Sequence, residues 1–175
     1  MTKFVADNAH SEVEFMVKHM MVTKVKGTFD DYSVEITADD IEDFENAKVF
    51  AKANVASINT GVADRDGHLR SGDFFETDTY PEITFESSNI EKSGTSYKVT
   101  GDLTIKDVTK EVTVELDYNG QAVDPMSGST VYGFEGKFSL DREAYGLTWN
   151  QTLETGGVLV SKEVKISVEL QFREA

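Results

Sequence analysis

The chain predicts an all-β fold, an antiparallel barrel of about eight strands with short helices confined to the connections. Three observations carry that prediction. Apolar and polar residues alternate with period two through most of the sequence, the pattern of strands with one buried face. Strong breakers, among them Asn119-Gly120, Asp124-Pro125 and Ser127-Gly128, punctuate the alternation. Between residues 48 and 57, alternate positions supply Val49, Ala51, Ala53 and Val55, an unusually small inward face. A close-packed core wants larger groups there, so this face leaves space for something else.

Taken in order, Val13, Phe15 and Val17 oppose Glu12, Glu14, Met16 and Lys18 as a first strand. Beyond it, Val17, Met20, Met21 and Lys24 are spaced like a helical turn, so a short helix is expected before a strand over residues 29–36. Residues 38–46 are acidic and form a turn into the small-faced strand. The connection 59–81 is long enough to be functional or a lid. Within it, residues 64–70 predict a helical turn, Phe74 and Phe75 supply apolar surface to bury, and Pro81 ends the segment.

The later strands are clean. Ile83 and Phe85 alternate with Thr84 and Glu86, and Tyr97, Val99, Gly101, Leu103 and Ile105 with Lys98, Thr100, Asp102 and Thr104. Val112, Val114, Leu116 and Tyr118 follow, then Tyr132, Phe134, Phe138 and Leu140, and last Val164, Ile166, Val168, Leu170 and Phe172. A sheet of this many antiparallel strands closes on itself to remove exposed edges, although a two-sheet sandwich satisfies the same alternation. Eight strands enclose an interior that side chains fill or that holds one small ligand.

Composition narrows the function. At 175 residues the chain is expected to form one domain, residues 1–175. It contains no cysteine, which excludes disulfides and thiolate chemistry. A formal charge of -15 argues against nucleic acid and against direct adhesion to anionic lipid, since the protein's own field repels both. No apolar run approaches the ~20 residues that span a bilayer, so stable membrane insertion is not expected. The start Met1-Thr2-Lys3-Phe4-Val5-Ala6-Asp7 lacks a leader pattern, which points to the cytoplasm; an exported protein whose leader has been removed is the rival reading.

A series of short motifs then runs through the chain. Asp7-x-x-His10-Ser11-x-Val13-x-Phe15-x-Val17-x-His19 is followed by Gly27-x-Phe29, Ser57-Ile58-Asn59-Thr60 and Arg65-Asp66-Gly67-His68-Leu69. Next come Asp73-Phe74-Phe75, Tyr80-Pro81-x-Ile83-Thr84-Phe85-x-Ser87, Gly101-x-Leu103-Thr104-Ile105 and Asp141-Arg142-x-x-Tyr145-Gly146-Leu147. Singly weak, in this order they make the chain resemble the YceI-like proteins, lipocalin-like barrels associated with polyisoprenoid binding. The resemblance implies a lumen that takes a long isoprenoid, a quinone precursor included, or a similar alkyl lipid, with no enzymatic activity and no cofactor. It departs from the family pattern after Ile105, where the usual Gly is replaced by Lys106-Asp107, a change that touches a turn more than a pocket.

The expected ligand-lining residues are Phe15, Val17, Val49, Ala51, Ala53, Val55, Phe85, Val99, Leu103, Val114, Leu116, Phe134, Phe138, Val164, Ile166 and Val168. Arg142 is in phase with Leu140 near a strand end, placed either to donate to a ligand carbonyl or to pair with Asp141 or Asp64. A solid core and a stress-related structural role form one alternative. The other is an enzyme acting on such a lipid through the Arg65 and His68 loop, although no nucleophile elbow accompanies that loop. His10, His19 and His68 lack metal-site spacing, so no metal is expected. Tyr145 and Trp149 read as barrel plugs, and Met16, Met20 and Met21 as adaptable apolar groups suited to a mobile mouth. A homodimer stays open, with no exposed apolar strip to mark its face.

Overall fold

A computed structural model describes residues 1–150 and 159–175. Its β-segments join into eight staves of one closed antiparallel sheet. The first stave is β1 (Thr2–Ala6) followed by β2 (Glu12–His19), which run end to end along one edge of the last strand, β11 (Glu163–Glu174). Ala6 lies opposite Phe172, Val13 opposite Val168 and Met16 opposite Lys165. Between the two segments the chain makes a single 3₁₀ turn, where the Asp7 carboxylate accepts the Ala9 N–H and the Ser11 hydroxyl accepts the Gln171 N–H.

The second stave is β3 (Thr23–Phe29) and β4 (Tyr32–Ala38), interrupted at Asp30-Asp31. The third is β5 (Lys48–Asn54) and the two-residue β6 (Ile58–Asn59), separated by a turn at Val55–Ser57. Then come β7 (Glu82–Ser93), β8 (Ser96–Ile105), β9 (Val108–Val123), β10 (Thr130–Asp141) and β11. The ring of pairing is continuous from β4 through β5, β7, β8, β9, β10 and β11 back to β1. A two-sheet sandwich is thereby excluded.

The helix expected after Val17 does not form. β2 continues to His19 and reverses through Met20 and Met21 into β3, with Val17 opposite Val25 and Lys18 opposite Lys24. Val25 restores the two-residue period on the returning strand, and the hairpin keeps β2 straight enough to pair with residues 165–169 of β11. The single strand expected over residues 29–36 is likewise two, because Asp30 and Asp31 leave the ladder. Their N–H groups go to the Ser57 carbonyl and hydroxyl, at 3.2 and 3.0 Å.

Both ends of the barrel are shaped by connections. At one end the acidic turn carries Phe44, 1% exposed, whose ring packs on Tyr97 and Phe134 with centroids 4.9 and 5.1 Å away. Phe172 continues this aromatic plug. At the other end sit α1 (Ala63–Arg70), the 3₁₀ turn Arg142–Tyr145 and a second apolar cluster of Phe74, Leu103, Ile105, Tyr145 and Leu147. No helix among the described residues is long and apolar enough to cross a membrane.

Candidate ligand-binding lumen

Between these two ends the inward faces enclose a cavity of about 560 Å³. Its wall is almost wholly aliphatic and aromatic, because each strand directs every second residue inward and those positions are apolar. Two devices keep it open. On β5, Ala51 and Ala53 stand opposite Val34 and Tyr32 on one side and Phe85 and Ile83 on the other, so at these two positions the wall is only a methyl group deep. Glycines also let large rings lie flat: a Cβ on Gly27 would collide with the Phe15 ring, and one on Gly101 with Phe85.

The structure puts Phe15, Val17, Val49, Ala51, Ala53, Phe85, Val99, Leu103, Val114, Leu116, Phe138, Arg142, Val164, Ile166 and Val168 on the cavity wall. Two of the residues expected there lie elsewhere. Val55 comes one residue after β5 ends, in a 3₁₀ turn whose N–H reaches the Pro81 carbonyl at 3.0 Å, and alternation holds only while a strand continues. Phe134 has the right phase but stands behind Phe44, in the plug that closes the barrel end. Residues missing from the sequence-based set include Tyr32, Val34 and Ile36 of β4, where the alternation was visible. His19, Phe29, His68, Leu147 and Trp149 complete the opposite end, where only the tertiary fold brings them together. Asp64, exposed to solvent, is part of the same lining, so the lumen opens at this end.

The polar groups at the open end are spent on architecture. Arg142, 3% exposed, gives its Nε–H to the Ser161 carbonyl at 2.8 Å and its Nη groups to the carbonyls of Leu147, Trp149 and Val160 at 2.6, 2.9 and 3.2 Å. The expected ion pair with Asp141 or Asp64 is absent among the described residues, because backbone oxygens from both sides of the connection already surround the guanidinium. Burial pulls its pKa down from the usual arginine value. Arg65 donates to the Thr60 hydroxyl and carbonyl, both at 2.7 Å, while buried Asp66 accepts the Thr60 N–H at 2.9 Å. Arg70 reaches the carbonyls of Ala56 and Ile58.

His68 differs from these arginines. Its Nε2 is 2.8 Å from the Asp73 carboxylate, and its ring stands edge-on to Phe74 and Trp149 at the lumen wall. A histidine oriented by a carboxylate can move a proton, yet none of these contacts supplies a nucleophile. Of the other histidines, His10 contacts Asp7 at 2.9 Å and His19 lines the cavity. Among the described residues no three His, Asp or Glu side chains converge as a metal site.

Comparison with known proteins agrees with this geometry. A YceI-like domain profile matches residues 4–172. A UPF0312 protein of Staphylococcus aureus (strain bovine RF122 / ET3-1) is 48% identical over 172 residues, 98% of each chain. The crystal structure of Burkholderia cenocepacia BcnA superposes with a TM-score of 0.81 at 28% identity, covering 95% of this chain and 98% of that one. The Campylobacter jejuni YceI protein gives 0.76 at 30% identity and 90% coverage of each. A polyisoprenoid-binding domain from Saccharophagus degradans, implicated in plant cell wall breakdown, shares the fold with a TM-score of 0.73 at 16% identity over the full length of both. With the profile spanning nearly the whole chain and the closed barrel matching those solved structures, this protein belongs to the YceI-like family.

Proposed function

We propose that the chain is a non-catalytic binding or carrier protein that holds a long-chain polyisoprenoid, a quinone-related one included, or a similar alkyl lipid in its lumen. The single observation behind this function is the apolar cavity of about 560 Å³ that the protein's own side chains do not fill. At about 30 Å³ per water-sized group, it has room for at least about 19 carbon-sized groups, close to four isoprene units. Burying each methylene is worth roughly 0.8 kcal/mol, so such a chain would gross ~15 kcal/mol. That approaches the limit of non-covalent affinity, and ordering the flexible ligand must absorb much of it. Chain length therefore dominates affinity, while a polar head sets orientation. The Saccharophagus degradans domain, described as polyisoprenoid binding, has the same fold and adds support.

Denaturing extraction of the purified protein followed by lipid mass spectrometry tests the proposal. A long isoprenoid or alkyl species is expected, and added isoprenoid should raise the melting temperature of emptied protein. Protein that is reproducibly empty and gains nothing from added lipid would sink the idea. The His68 and Asp73 contact at the lumen wall favours one second reading, an enzyme acting on the same lipid. Turnover that vanishes in His68→Ala while lipid binding persists would establish it.

A further inference from the structure

We infer that the β2–β3 hairpin tip docks the molecule on an anionic membrane surface, placing the mouth of the lumen against the lipid. The inference rests on the proposed lumen only for its purpose; the surface stands on its own observations. Met20, Met21 and Val22 are 46%, 62% and 81% exposed, three consecutive large apolar residues at the end of a projecting hairpin. Around them residues 15–29 contain no Asp or Glu, in a chain that carries 32. Lys18, Lys24 and Lys26 are exposed and make no ion pair with any described residue. An apolar tip with free lysines along its outer face matches an anionic bilayer, whose headgroups meet the ammonium groups while the methionines enter the interface.

Two local costs fall on the same hairpin. Met20 and Met21, in the three-residue turn between His19 and Thr23, both adopt left-handed backbone, at φ 53° and 62°, which favours Asn or Gly. Lys18 stands directly opposite Lys24, and like charges across a strand pair repel. Neither choice helps the barrel, so an external partner is the economical explanation for both. The opposite face of the hairpin supplies Val17, His19 and Val25 to the lumen wall, and the Met20 N–H binds the carbonyl of Leu159, another lining residue. The tip and the mouth are thus one structure. The overall charge of -15 does not prevent contact, because at physiological salt charges beyond about 8 Å are largely screened. It makes docking transient and fixes its orientation.

Flotation of the full chain with vesicles tests this, using phosphatidylcholine alone and phosphatidylcholine mixed equally with phosphatidylglycerol. Binding to the mixed vesicles only, weakened by added salt, is expected. The double change Lys18→Glu with Lys24→Glu should lower it on the order of 20-fold or more. Met20→Asn with Met21→Gly should lower it about 10-fold while raising the melting temperature, since the turn relaxes; lost docking then cannot be blamed on misfolding. Vesicle binding that is absent, or equal in all three proteins, overturns the inference, as does a tip that instead drives self-association in sedimentation. Farnesol binding, measured by thermal shift, should be unchanged in both variants. Its absence from the unaltered protein would reject the lumen proposal and leave docking standing.

Discussion

Replacing Ala51 by Phe is the sharpest test of an unfilled interior. The change adds six carbons to the small face of β5, roughly 180 Å³ at about 30 Å³ each, a third of the 560 Å³ lumen. The remaining space, about 380 Å³, holds about 13 carbon-sized groups in place of about 19. A twenty-carbon prenol then loses about six buried methylenes, ~5 kcal/mol gross at roughly 0.8 kcal/mol each. With about half of that offset by the ordering no longer required, its affinity should fall about 100-fold. A ten-carbon prenol still fits and should bind nearly as before. Titration calorimetry with both alcohols, beside thermal melts of the empty protein, decides the matter. The empty variant should be as stable as the parent or more so, since its new ring covers exposed apolar wall. Equal losses for both ligands, or a destabilisation of about 1–3 kcal/mol without lipid, would refute the reasoning by showing overpacking of a filled core.

Three further outcomes are expected. Arg142→Met strands four carbonyls, that of Leu147 buried and the others partly so, and should cost about 3–5 kcal/mol, read in urea unfolding and as a melting temperature lower by on the order of 10 °C; a loss below about 1 kcal/mol would show that the guanidinium does not tie the connection. Gly27→Ala pushes the Phe15 ring off the wall into the lumen, costing about 1–3 kcal/mol and weakening prenol binding together, as paired melting and titration would reveal. Tyr118 is pushed up to about 12 by burial and then by Glu42, 3.4 Å from its hydroxyl. Its folded pKa is raised, so its contribution to stability is intact below the unfolded value of about 10 and is lost as pH climbs from there through about 12. Urea midpoints across that window should fall less steeply in Tyr118→Phe, and equal slopes would contradict the assignment.

The alternation in β8, β10 and β11 made the barrel legible, because a period of two survives any tertiary context that buries one face. The small face of β5 likewise marks open space in the sequence itself. Residues 17–24 misled because an eight-residue window cannot separate a hairpin from a helical turn, and the pairing that decides it is the cross-strand register of β2 with β3, which apolar spacing alone does not reveal. The plug was hidden for a different reason: Ile41 and Phe44 are two apolar residues scattered within an acidic turn, too few to establish a period that announces their burial. The partners of Arg142 are backbone oxygens, which carry no residue identity and so leave no trace in a sequence. Side chains alone left two readings level, pairing with a nearby aspartate and donation to a ligand carbonyl.

The interruptions in the first three staves line up. Asn8 reaches across to the Tyr32 carbonyl at 2.7 Å, the Asp31 carbonyl takes the Asn54 N–H at 2.9 Å, and Ser57 receives Asp30 and Asp31. A crease thus crosses adjoining strands diagonally, stitched by side chains and turns where a ladder would otherwise run. The panel of β2, β3 and β6 is thereby set off from β1, β4 and β5 by turns and side-chain bonds, whereas β7 to β10 run as long uninterrupted segments, so one half of the wall is a patchwork and the other a continuous weave.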